Sequence, residues 1–295
     1  MFTSLLVGLD GSTEAQVALA QAIIIGERFH ARIVLLYVPP APGHTGEMAL
    51  GAPWIEYGTG TAQASRGDIE RAAQQMLNDA AEAVRRAGLE AETVQRSGAV
   101  ADVLRELAED VGVIVVGRIG VRGRMATMGK DPLGPDTREL IRRSPRPVLV
   151  SGTRPTQMDR VLVAYAGGPA SEGALALASR FAGITGAHLD VLHVSPDEEE
   201  GRQALARASG ALSLDPLDFE THLIEGDLET AIPATIRRLG CNALFTGAQR
   251  RGGFWMVPTH TEVILRVTDI PVLVHLQPSS SGARVSASYR RSAFG

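Results

Sequence analysis

The residues whose types and spacing could do chemistry fall in two short segments, each directly behind an apolar run. Asp10-Gly11-Ser12 follows SLLVGL, and Gly117-Arg118-Ile119-Gly120 closes VGVIVVG and opens a run that also holds Gly123, Gly129 and Gly134. Glycines at such spacing let backbone N–H groups approach an anion with no Cβ in the way, and a helix starting after Gly134 would add its positive end. The same composition suits a plain connecting loop. Asp10 or Ser12 suits ligand contact and also the N-cap of a following helix, a role worth about 1 kcal/mol. Pro135 suits the first position of a helix, where its missing N–H is no loss. Arg122, Arg124 and Lys130 are cations that could meet phosphate or simply face water.

Other routes to chemistry are thin. The chain has no G-x-S-x-G elbow and no complete G-x4-G-K-[ST] loop; Gly129-Lys130-Asp131 is a fragment of the latter. Its seven histidines show no H-x-x-H or H-E-x-x-H spacing, and His30, His44 and His260 fall in different elements, so no metal site is expected. The single cysteine, Cys241, excludes a disulfide framework and reads as a small buried hydrophobe. No catalytic base or nucleophile stands out, and the expectation is a binding protein, not an enzyme.

The elements that must position these residues come from a duplication. Residues 4–40 align without a gap on 160–196 at an offset of 156, pairing Leu6 with Leu162, Gly11 with Gly167 and Val38 with Val194. The match resumes with 97–117 against 225–247, where Gly98 pairs with Gly226 at an offset of 128. The first copy therefore carries 28 more residues, between about Pro40 and Gly67, rich in turn formers and read as a long loop. Both copies end in PVLV, at 147–150 and 271–274. The expected domains are 1–152 and 158–277, joined by a linker near Gly152 to Gln157 and followed by a disordered tail over 278–295. In the first copy strands are predicted at about 4–9, 32–38, 90–96, 112–117 and 147–151, with helices at about 12–28, 68–87, 99–110 and 135–143. Runs such as IVLLYV lack polar alternation, as strands covered on both faces do. The pattern predicts two α/β domains, each a doubly wound five-stranded parallel sheet.

Composition sets the remaining bounds. With 44% hydrophobic and 21% charged residues the chain reads as globular, and 29 basic against 33 acidic residues, a net charge of -4, give no signature for nucleic acid. No apolar run approaches the ~18 residues of a membrane span, and residues 1–10, short and acidic-ended, are not expected to act as a signal peptide. A cytoplasmic protein with neither membrane nor nucleic acid as partner is expected.

A hydrophobic strand ending in Asp-Gly-Ser, the G-x2-G at 117–120, a helix and a closing R-x-x-x-P-V-L-V, taken in that order, resemble the universal stress protein family over both copies. The resemblance implies the strand order 3-2-1-4-5, which sets the first and fourth strands side by side with Asp10 facing Gly117 across the switch point. It implies a stress-response protein binding an adenine nucleotide of the ATP type in the first domain. Asp10 matches the base and ribose side, Val38 the backbone that meets adenine, and Gly117, Gly120 and Gly134 the three glycines. Thirteen residues separate the third glycine from the second instead of the family's nine, with Pro135 where Ser or Thr would offer a hydroxyl. The second copy has Ala166 at the place of Asp10, Arg250 at that of Gly120 and Pro258 at that of the third glycine, and reads as a structural partner. The alternatives are an interaction or scaffold protein without a ligand, and a slow ATP hydrolase. The two PVLV strands are expected to pair as an internal pseudo-dimer, with homodimer formation also open.

Overall fold

The computed structural model describes residues 2–39, 66–121, 123, 124, 128, 130–249 and 259–277. The greater part of the 28-residue excess of the first copy, the tail beyond 277, Arg122, Gly129, Arg250 and Pro258 lie outside the described residues.

In the first half β1 (Ser4–Leu9), α1 (Thr13–Phe29), β2 (Arg32–Tyr37), α2 (Arg66–Arg86), β3 (Ala91–Gln95), α3 (Val100–Leu107), β4 (Val113–Val116), α4 (Pro135–Arg143) and β5 (Val148–Val150) follow in order. The second half repeats this with β6 (Arg160–Ala164), α5 (Pro169–Thr185), β7 (His188–Val194), α6 (Glu198–Leu212), β8 (Phe219–Ile224), α7 (Leu228–Leu239), β9 (Ala243–Gln249), α8 (His260–Val267) and β10 (Val272–Gln277). In the first half the described elements match the predicted ones to within two residues, except that α3 ends at Leu107, three residues before 110. The largest shift is at α3, whose last turn tightens into a 3-10 turn at Ala108–Asp110.

The strands form one ten-stranded sheet in the order β3-β2-β1-β4-β5-β10-β9-β6-β7-β8. Each half has the order 3-2-1-4-5 with parallel neighbours throughout. The halves join where β5 and β10 run antiparallel, Leu149 opposite Leu273, so the two PVLV runs cover each other. An apolar edge strand with unpaired N–H and C=O groups invites pairing, and here the duplicated partner supplies it.

Strand residues alternate between two apolar layers that both cross this seam. One packs Leu5, Val7 and Val163 against the apolar stripes of α1, α2, α5 and α6; the other packs Leu6, Ile114 and Leu244 against α3, α4, α7 and α8. Covered strands explain the unbroken hydrophobic runs. Among the described residues no helix is long and apolar enough to cross a membrane.

Candidate functional site

The carboxyl ends of β2, β1 and β4 lie side by side, which brings the five singled-out residues to one end of the first half. Leu9 is opposite Tyr37, so Asp10 and Val38 leave neighbouring strands, and Val7 is opposite Val115, so the loop after β4 starts beside Asp10.

The Asp10 carboxylate is a clasp. Its Oδ1 accepts from Ser12 N (3.0 Å) and Ser12 Oγ (2.6 Å), and its Oδ2 accepts from Val121 N at 2.7 Å, tying the end of β1 to the loop after β4. Ser12 holds the cap role itself: its Oγ accepts from Ala15 N at 3.1 Å, with backbone in the extended region. Gly11 takes φ 76°, a left-handed turn that lets the chain double back between the two. At the end of β2, burial and then the Asp10 charge hold the Tyr37 phenol above its ordinary value. Val38 lies one residue past β2 and packs against the second apolar layer.

The glycines serve different ends. A Cβ on Gly120 would collide with Asp10 Oδ2, so the carboxylate reaches Val121 only because position 120 is bare. A Cβ on Gly117 would stand 2.8 Å from Glu14 Cβ and 3.0 Å from its backbone carbon, in the first turn of α1. Gly247 meets the first turn of α5 in the same way, at Ala170 and Ser171. Gly134 is the N-cap of α4, with Pro135 at its first position and no side-chain cap; its N–H donates to Arg118 O at 2.9 Å, closing the loop upon itself. The Thr137 hydroxyl donates to Gly117 O at 3.0 Å from the first turn of α4.

Arg118, between the first two glycines, spends its donors on the seam between the halves. It is 8% exposed and donates to the carbonyls of Ser151 (3.2 Å), Ile270 (3.0 Å) and Leu265, bridging the loop after β4 to the second half. Burial pushes its guanidinium down to about 10 against the pull of Asp269. Arg124 pairs with Glu14 across the mouth. A cavity of about 300 Å³ lies between Thr13, Glu14, Ile119, Arg124, Pro132 and Thr153. Sequence reasoning singled out neither the Arg118 bridge nor the Glu14–Arg124 pair, because their partners are set by the fold; a basic residue inside a glycine run was the one available signal.

At the matching place in the second half, Ala166 follows Tyr165 at the end of β6 and has no carboxylate to offer.

A tandem α/β protein with a switch point built from an Asp-Gly-Ser turn and a glycine-rich loop is thus defined by the topology and the clasp. The family comparison gives it a name: the universal stress protein family model matches residues 1–151 and again 158–275, and the chain belongs to that family. Among curated relatives, it is 25% identical over 287 residues to universal stress protein Slr1230 of Synechocystis sp., covering 92% of this chain and 98% of that one. Its fold is similar to that of a universal stress protein from Archaeoglobus fulgidus, with a TM-score of 0.74, 19% identity and coverage of 94% and 100%. It is also similar to a functionally unknown protein, PA1789, from Pseudomonas aeruginosa, with a TM-score of 0.65, 20% identity and coverage of 98% and 97%.

Proposed function

We propose that this universal stress protein takes one adenine nucleotide, of the ATP type, at the switch point of its first domain, and that the second domain is its structural partner. The observation that carries the reading is the contrast between the two switch points. At the first, Asp10 faces Gly120 and lies in one loop cluster with the uncapped N-terminus of α4. At the second, Ala166 removes the acceptor. A carboxylate at the base and ribose side with backbone N–H groups nearby matches the two ends of a nucleotide, one rich in hydroxyl donors and one anionic. Asp10, Val38, Gly120 and Gly134 are the assigned contacts, with Gly117 behind them.

A second reading has its own support. Asp10 already accepts three hydrogen bonds, and Gly120 and Gly134 are packed against protein, so the loop is complete without a ligand. A nucleotide hydroxyl has one remaining acceptor position on this carboxylate, or displaces a donor such as Val121 N. On that reading the chain is an interaction or scaffold protein.

Calorimetric titration with ATP separates the two, and a phosphate-release assay on the same samples tests for slow hydrolysis. The expected result is one site per chain. Asp10→Ala is expected to lose on the order of 1.5 to 3 kcal/mol of binding, about tenfold to a hundredfold in Kd, because one partner is charged. No binding, or two sites per chain, overturns the proposal; unchanged affinity with lowered stability in Asp10→Ala reduces Asp10 to a clasp alone.

A further inference from the structure

The second domain carries a cluster that the first lacks. On β7, His188 and Asp190 share one sheet face; Asp218, directly before β8, and Glu220 and His222 on β8 alternate in the same way, with Asp190 opposite Glu220 in the register. Asp190 is fully buried. Its Oδ2 is held by Arg160 Nε at 2.7 Å and Cys241 Sγ at 3.5 Å. Its Oδ1 takes Arg160 Nη2 at 3.1 Å and faces both imidazoles, His222 Nε2 at 2.8 Å and His188 Nε2 at 3.5 Å.

His188 is oriented from behind. Its Nδ1 lies 2.8 Å from Asp218 Oδ2, so the ring donates from Nδ1 and its lone pair sits on Nε2. That Nε2 is buried and has no hydrogen-bond partner. A carboxylate on the far nitrogen that fixes the tautomer and aims a free lone pair inward is how metal-ligating histidines are held. The Glu220 carboxylate, 62% exposed, stands at the mouth with Oε2 3.9 Å from His222 Nε2.

We propose that His188 Nε2, His222 Nε2, Asp190 Oδ1 and Glu220 form a binding site for a divalent cation of the zinc type. Donor atoms of His188, Asp190 and Glu220 lie within 4.8 Å of one another. His222 Nε2 joins this set through Asp190 Oδ1 at 2.8 Å and Glu220 Oε2 at 3.9 Å, and His188 Nε2 stands 3.5 Å from the same Oδ1, beside an edge of about 3.3 Å for tetrahedral zinc with bonds of about 2.0 to 2.1 Å. Nitrogen and carboxylate donors together suit zinc better than magnesium or calcium, which favour all-oxygen shells. Asp190 pairs with Arg160, Asp218 with His188, and Glu220 stands beside His222, so three carboxylates gather round the two imidazoles. Arg160 grips both oxygens of Asp190, Nε on Oδ2 and Nη2 on Oδ1, which sets the carboxylate and leaves Oδ1 a further lone pair for the cation. His222, which donates to Oδ1 in the free protein, must pass its Nε2 proton to Nδ1 or to solvent when the cation arrives.

The first domain is an internal control. Ser4, Arg32, Val34, Glu92 and Val94 hold the positions of Arg160, His188, Asp190, Glu220 and His222 in the same registers, and that set cannot ligate a metal. The fold therefore does not need the cluster.

The full chain, stripped with chelator, is titrated with zinc chloride by calorimetry and with cobalt(II) by absorption. One ion per chain is expected, with a tetrahedral cobalt spectrum and a Tm that rises with zinc. Glu220→Gln, at an exposed position, should keep the metal-free Tm and weaken zinc by about tenfold or more. His188→Gln with His222→Gln should abolish the site. The absence of saturable binding, or one-to-one binding that survives the double histidine variant, overturns the proposal.

Discussion

At the scale of the residue, glycines that look alike in sequence do unlike work. Gly120 is bare so that Asp10 Oδ2 can reach Val121 N, whereas Gly117 is bare so that the first turn of α1 can lie against β4, as Gly247 is for α5. A glycine at this place is thus required by packing in both domains, including the one with no carboxylate at its switch point. Gly117→Ala forces Glu14 and the start of α1 to move and should cost about 1 to 3 kcal/mol of stability. Gly247→Ala should cost a similar amount. Urea unfolding of both variants checks this, and a Gly117→Ala protein of unchanged stability that no longer binds ATP would show that the glycine serves the ligand instead.

At the scale of the element, the two halves are held by more than the β5–β10 ladder. Arg118 reaches from the loop after β4 to the carbonyl ends of α8 and of the turn before β10, which are otherwise buried acceptors at the seam. Beside it, Arg142 of α4 meets the buried Glu262 of α8 at 2.6 Å, and Arg266 of α8 meets Asp131 at 3.1 Å. Arg118→Ala strands three carbonyls at once, and each unmet buried acceptor costs about 1 kcal/mol or more. A loss of about 3 kcal/mol is expected in the unfolding of the whole chain. A change confined to the first domain's ligand affinity would contradict the bridging role.

At the scale of the whole molecule, two continuous apolar layers cross the seam, so one cooperative unfolding transition is expected. Three groups packed into the fold contribute to its pH dependence, beside the exposed cap Asp227, which hydrogen bonds from Thr230 hold below the ordinary carboxylate value. Burial alone holds His275 below its ordinary value, so the unfolded chain takes up that proton first and stability falls as pH drops below about 6.5. Asp131 and Asp190 are each raised by burial, but this is outweighed by hydrogen bonds and charge, from Arg266 and Arg138 on Asp131 and from Arg160 and His222 on Asp190, so both end below the ordinary carboxylate value. Their contribution is complete above about 4 and is lost as pH falls through their lower folded values. Calorimetric scans from pH 8 to pH 3 should show Tm declining in these two stages. A Tm that stays level between pH 6.5 and 5 removes His275 from the account.

The sequence by itself determined the fold, because apolar runs, turn residues and the repeat at offsets of 156 and 128 act locally and twice over, so each copy checks the other. It also marked Asp10 and the glycines, since an acid and bare backbone directly behind strands are readable from order alone. Only the tertiary structure decided what those residues touch: that Ser12 caps α1 while Asp10 clasps Val121, that Gly117 answers to a helix and Gly120 to a carboxylate, and that Arg118 spends its donors on the seam. The histidines show the same limit. His188 and His222 lie 34 residues apart in a chain with no metal-ligand spacing, and become neighbours of Asp190 only because β7 and β8 pair in parallel with Asp190 opposite Glu220. Spacing within one element is written in the sequence. Adjacency between strands is fixed by register, which is settled when all the apolar faces are buried together.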